Sequence, residues 1–208
     1  MTIPFFNFNY YQINTHKTNQ LSYDSYLLWN LFLAWVPLFL SILLKKILSK
    51  KLWSSWLAMF VSLAWLVFIP NSFYLISDFI HLQDAGQKSI LFDTTLFSMI
   101  ILTGLMIGFV SVDLIIVEIK KRYSHLITNL SVILIFLISS FGIYVGRDLR
   151  WNSWDIVINP GGLLLDVISR LSNFSNYLSM AIVILSYFFL LISLYLGIKN
   201  IFKPDLSS

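Results

Sequence analysis

Five apolar stretches, each close to the ~20 residues a helix needs to cross a hydrocarbon core, recur along this chain with only short polar segments between them. A backbone inside lipid must satisfy its own hydrogen bonds, so these stretches are read as membrane-spanning α-helices over about 26–44, 52–79, 94–117, 126–145 and 177–198. Composition agrees. Of 208 residues, 58% are hydrophobic and only 12% charged, against roughly 25% charged in an average soluble domain. One bundle fills the chain and no second, soluble domain fits. The expected fold class is all-α, an integral membrane bundle of about five transmembrane helices forming one domain over 26–201. The chain has no cysteine, which excludes disulfides, thiolate nucleophiles and Cys-ligated metals.

Basic residues set the expected orientation. Lys45, Lys46, Lys50 and Lys51 follow the first span, Lys120, Lys121 and Arg122 follow the third, and Lys199 and Lys203 follow the last. Cytoplasmic loops carry the excess of Lys and Arg, so the N-terminus is expected outside and the C-terminus, with the tail 202–208, in the cytoplasm of a cell-membrane protein. The net charge of +4 is read as membrane orientation, and no nucleic-acid partner is expected. Residues 1–25 lack the positive start and apolar core of a cleavable signal. They are expected to stay as an external tail, either lying at the interface through their aromatic rings or solvated.

Two polar constellations stand out against this background. The second apolar run would make a helix ~42 Å long, longer than the ~30 Å core requires, and Pro70 is its natural break. Beyond the break, Asn71, Tyr74, Asp78 and His81 fall at i, i+3, i+7 and i+10, one face of a helix. The fourth span ends in Gly142-Ile143-Tyr144-Val145-Gly146-Arg147-Asp148-Leu149-Arg150-Trp151-Asn152-Ser153-Trp154-Asp155, the densest group of polar and ionisable side chains in the chain. Both lie at the external ends of their spans and so at one depth. A single ligand-binding site is expected from Asn71, Tyr74, Asp78, His81, Arg147, Asp148, Arg150, Trp151, Asn152 and Asp155, with the segment 156–176 of the external loop 146–176 available as a lid. In that loop Asn159-Pro160-Gly161-Gly162 signals a turn, and the apolar residues 163–170 are too few to span, so they either lie on the surface or re-enter.

Within the third span, Gly104 and Gly108 with Ser111 one turn on would let a neighbouring helix approach closely. Asp113 is an ionisable group inside the same span, either a functional candidate or a side chain reaching toward Lys120, Lys121 or Arg122.

The stretch Pro70-Asn71-x-x-Tyr74-x-x-Ser77-Asp78-x-x-His81-Leu82, together with Gly142-x-Tyr144-x-Gly146-Arg147-x-x-Arg150-Trp151-Asn152-Ser153-Trp154-Asp155, resembles a bacterial family of uncharacterised multi-pass membrane proteins, domain-of-unknown-function family 1361. The resemblance covers most of the chain after the first span. It implies a membrane location and no established activity, cofactor or catalytic residue.

Several chemistries are open to these residues. Arg147 and Arg150 can offer forked donors to a phosphate, with Asn152, Trp151 and Trp154 ordering a lipid head group, so the leading expectation is recognition of an anionic lipid, a lipid-linked intermediate or a membrane partner protein at the outer face. His81 with Asp78, Asp148 or Asp155 could hold a divalent metal through mixed nitrogen and oxygen ligands. His81 oriented by Asp78 one turn earlier could act in acid-base catalysis on a head group. A purely structural account is also open, in which tryptophans and arginines anchor the bundle and Arg147 or Arg150 pairs with a carboxylate. A transport path needs polar groups at mid-depth, and spans one, four and five show few beyond serines and Asn129. No zinc-helix, nucleophile-elbow or phosphate-loop motif is present. His16 and His125 are read as solvated.

Overall fold

The computed structural model describes residues 28–77, 90–172 and 174–201. The tail 1–25, Asp78, His81, most of the loop that follows them, and the tail 202–208 lie outside the described residues. Those described form α1 (Leu28–Leu48), α2 (Trp56–Tyr74), α3 (Ile90–Lys120), α4 (His125–Asp148), α5 (Asp155–Ile158), α6 (Pro160–Leu171) and α7 (Phe174–Ile201), with no strand among them. Five helices, α1, α2, α3, α4 and α7, are long and apolar enough to cross a membrane. Serines start two of them: Ser55 accepts from the Ala58 N–H at 3.3 Å and Ser124 from the Ile127 N–H at 3.5 Å, each satisfying a donor that the first turn leaves free.

Cross-chain contacts fix how the spans run. Ser72, late in α2, donates to the carbonyl of Ala34, early in α1, at 2.7 Å. Arg122, just past α3, donates to the carbonyl of Leu48 at the end of α1 at 2.8 Å. The start of α1 therefore shares one end of the bundle with the end of α2, while the ends of α1 and α3 share the other. Near that second end lie Lys45, Lys46, Lys50, Lys51, Lys120, Lys121, Arg122 and Lys199.

At the centre, α2 packs on α3 and α4, and α4 packs on α7. Each of these four helices contributes one ring to a buried cluster of Phe73, Phe109, Phe136 and Tyr195, with neighbouring centroids 5.1 to 6.1 Å apart. Lipid tails are as apolar as these rings, so close dispersion contact and hydrogen bonds hold such helices together. The glycines of α3 permit that contact. A Cβ on Gly104 would lie 2.7 Å from the Ser72 carbonyl oxygen, and one on Gly108 would lie 2.6 Å from the Phe73 ring. One turn further, the Trp65 indole donates to the Ser111 hydroxyl at 2.8 Å, a buried bond between α2 and α3.

Three sequence readings need correction. Asp113 does not reach toward Lys120, Lys121 or Arg122: it accepts from Lys199 at 2.7 Å and from the Tyr195 hydroxyl at 3.1 Å, both on α7. The reason is competition, since Glu118, itself only 3% exposed, already holds Lys121 and Arg122. Pro70 does not break its helix. α2 runs through it to Tyr74 and then tightens into a turn over 75–77. The loop 146–176 is itself largely helical, and residues 163–170 belong to α6, which packs on α5 and α7. Asn159 starts α6 by accepting from the Gly162 N–H at 3.0 Å, with Pro160 in the first turn, so the predicted turn is a helix start.

Candidate functional site

At the end of the bundle where α1 begins and α2 and α4 finish, a cavity of about 470 Å³ opens among the helices. Its apolar walls are Leu33 on α1, Leu66 and Val67 on α2, and Ile138 and Val145 on α4. Pro70 and Gly142 also line it. Proline carries no N–H, so the Leu66 carbonyl lacks its usual helical donor, and the ring displaces that turn of the helix. α4 accommodates the ring by presenting a glycine. A Cβ on Gly142 would lie 2.5 Å from Pro70 Cγ, and one on Gly146 would lie 3.1 Å from the Tyr74 ring.

The chain reverses after α4. Arg150 takes φ 58°, the left-handed region that glycine usually occupies, and the Trp151 N–H donates back to the Val145 carbonyl at 3.2 Å. That reversal carries Trp151, Asn152, Ser153 and Trp154 across the cavity's end, where all four line it. Asp155 fixes the turn by accepting from the Asn152 backbone N–H at 2.7 Å and from its side-chain amide at 3.3 Å. The Trp151 indole donates to Asp166 of α6 at 2.8 Å, and Leu163 of α6 completes the lining. The turn is latched to α2 by Asn71, whose amide donates to the Ser153 hydroxyl at 2.8 Å and to the Phe68 carbonyl at 3.0 Å.

The expected site residues therefore separate. Asn71, Tyr74, Trp151 and Asn152 converge on one cavity. Arg147 turns away toward α7 and donates to the Tyr187 hydroxyl at 2.7 Å. Arg150 and Asp148 are exposed, and Asp155 is engaged in the turn. Asp78 and His81 lie outside the described residues, and with them the acid-base pair. Of the metal candidates only Asp148 and Asp155 are described, and no group of three or more His, Cys, Asp or Glu among the described residues could hold an ion.

Sequence reasoning missed Trp29, Asn30 and Ser153 as cavity residues. Asn30 is 9% exposed, and its Nδ2 has no hydrogen-bond partner among the described residues. The available signal was its position: one carboxamide near the start of an apolar span, level with Asn71 and Asn152.

A bundle of membrane-length helices enclosing a ligand-sized cavity at one end defines a multi-pass α-helical membrane protein. The chain belongs to the family described as Protein of unknown function (DUF1361), whose profile matches residues 29–194 and so takes in every residue lining the cavity. No curated protein and no solved structure matches the chain.

Proposed function

We propose that this protein binds a membrane amphiphile, a lipid or lipid-linked intermediate, in the cavity between α1, α2 and α4, at the outer leaflet of the cell membrane. The carrying observation is the cavity itself. At about 470 Å³ it falls within the roughly 300 to 1,000 Å³ of small-ligand sites, which combine apolar walls with a few placed polar groups. Leu33, Leu66, Val67, Ile138 and Val145 suit hydrocarbon, and the carboxamides of Asn30, Asn71 and Asn152 suit a polar head. Eight of the eleven described Lys and Arg gather at the opposite end of the bundle, which by the positive-inside rule faces the cytoplasm and leaves the cavity on the outer side. Arg147, with a neutral phenol for its partner, is available to a phosphate beyond the cavity.

The test is retention of lipid. The purified protein is extracted after extensive detergent washing and its bound lipid identified by mass spectrometry, alongside Val67→Trp, which fills the cavity without touching a polar group. Wild type should carry close to one lipid per chain and Val67→Trp should lose it, while the two proteins, once stripped of lipid, unfold at the same temperature. Equal lipid on both proteins rules the reading out.

A further inference from the structure

We infer that the head group taken by this cavity is uncharged and rich in hydroxyl or amide groups, a glycosyl lipid in chemical class, with any phosphate held outside. The inference rests on the amphiphile reading above and specifies its ligand. Among the described residues no Asp, Glu, Lys, Arg or His lines the cavity. An anion there would surrender its hydration without meeting a cation, which is costly in a low-dielectric site. The polar groups present are of another kind. Asn71 has both amide hydrogens engaged, by Phe68 and Ser153, so its free valence is the acceptor Oδ1. Asn30 has the reverse, an amide nitrogen with no partner and two hydrogens to give.

Donors and acceptors therefore stand together in one small space. A phosphate oxygen only accepts, and it would be repelled by the Asn71 oxygen. A hydroxyl both donates and accepts, so it can answer each group in turn. The indoles of Trp29, Trp151 and Trp154 add flat, rigid, apolar faces to the lining, suited to the C–H face of a sugar ring. The unpartnered amide of Asn30 is the sharpest clue. Nδ2 is closed off in the empty protein, where a buried donor without an acceptor is destabilising, and a turn of the side chain toward a ligand hydroxyl would relieve that cost.

The experiment compares two lipids with identical acyl chains, a glucosyl diacylglycerol and phosphatidylglycerol. Each is titrated in mixed micelles of an amine-oxide detergent, which contains no sugar. The readouts are the unfolding temperature and quenching of tryptophan fluorescence. The glucosyl lipid should raise the unfolding temperature saturably and phosphatidylglycerol should not. Asn30→Leu removes the orphan donor, so without lipid it should unfold at the same temperature or higher, yet bind the glucosyl lipid at least ~10-fold more weakly, as expected for one lost hydrogen bond. If phosphatidylglycerol binds as well as the glucosyl lipid, this inference falls and the amphiphile reading stands. If neither lipid binds, both fall. Undiminished binding by Asn30→Leu also overturns the inference, and the lipid comparison on wild type decides the matter without any variant.

Discussion

A Cβ on Gly142 would lie 2.5 Å from Cγ of Pro70 and 2.6 Å from its Cβ, so α4 touches α2 at the turn where α2 has lost a backbone donor. The contact explains why proline is tolerated in mid-helix: the ring that disturbs α2 is received by a gap in α4. Gly142→Ala should therefore force the two spans apart and cost about 1 to 3 kcal/mol, the usual penalty of overpacking. Gly197→Ala, where nothing lies within 4 Å, is the matched control and should be neutral or stabilising. Unfolding midpoints in a denaturing-detergent titration read both.

Ser111→Ala leaves the Trp65 indole N–H buried without its acceptor. A loss of about 1 to 3 kcal/mol is expected. Adding Trp65→Phe should recover part of it, because the donor is then gone as well. A double-mutant cycle on the same titration measures the coupling.

Asp113 and Glu118, both on α3, should behave differently. Asp113 and Lys199 have side chains 48% and 43% exposed, so their pairing should show a coupling of no more than ~1 kcal/mol in a double-mutant cycle. Glu118 is buried and answers Lys121 and Arg122 together. Glu118→Gln should cost about 2 kcal/mol, the scale of hydrogen bonds to charged groups. It should also loosen Arg122 from the end of α1, which faster proteolysis at the loop after Leu48 would reveal.

Arg150→Gly should raise the unfolding midpoint. The left-handed backbone costs a residue with a Cβ roughly 1 to 2 kcal/mol, and glycine adopts φ 58° freely. Because Arg150 does not line the cavity, retention of bound lipid should be unchanged by the same substitution. A loss of bound lipid would show that the arginine contributes to binding.

The spans were readable because their signal is length and composition, which neighbouring helices do not alter. Contacts between helices were less so. Asp113 could not be assigned its partner, since Lys199 lies 86 residues away and, of the nearer cations, Lys121 and Arg122 are taken by Glu118. The close packing of α2 on α4 at Pro70 depended on a glycine in another span. In the candidate site, the polar faces of α2 and of the turn after α4 pointed to Asn71, Tyr74, Trp151 and Asn152. The same reasoning weighted charge too heavily. Arg147 finds Tyr187 on α7, a preference set by where the side chain leaves the helix, while uncharged Asn30 contributes to the cavity and carries no local pattern at all.

The bond from Asn71 to Ser153 joins residues 82 positions apart, and that separation dictates an order of assembly. Helices enter a membrane in the sequence in which they are made, so Asn30 and Asn71 are already embedded before the residues that close over them exist. During that interval α1 and α2 present a half-built recess to the surrounding bilayer. A chain that stops after α3 would lack the walls that α4 and the turn after it supply. The cavity is thus a late product of biogenesis, finished only when α6 has been translated and folded back, and it serves as a structural record that the fourth span has arrived.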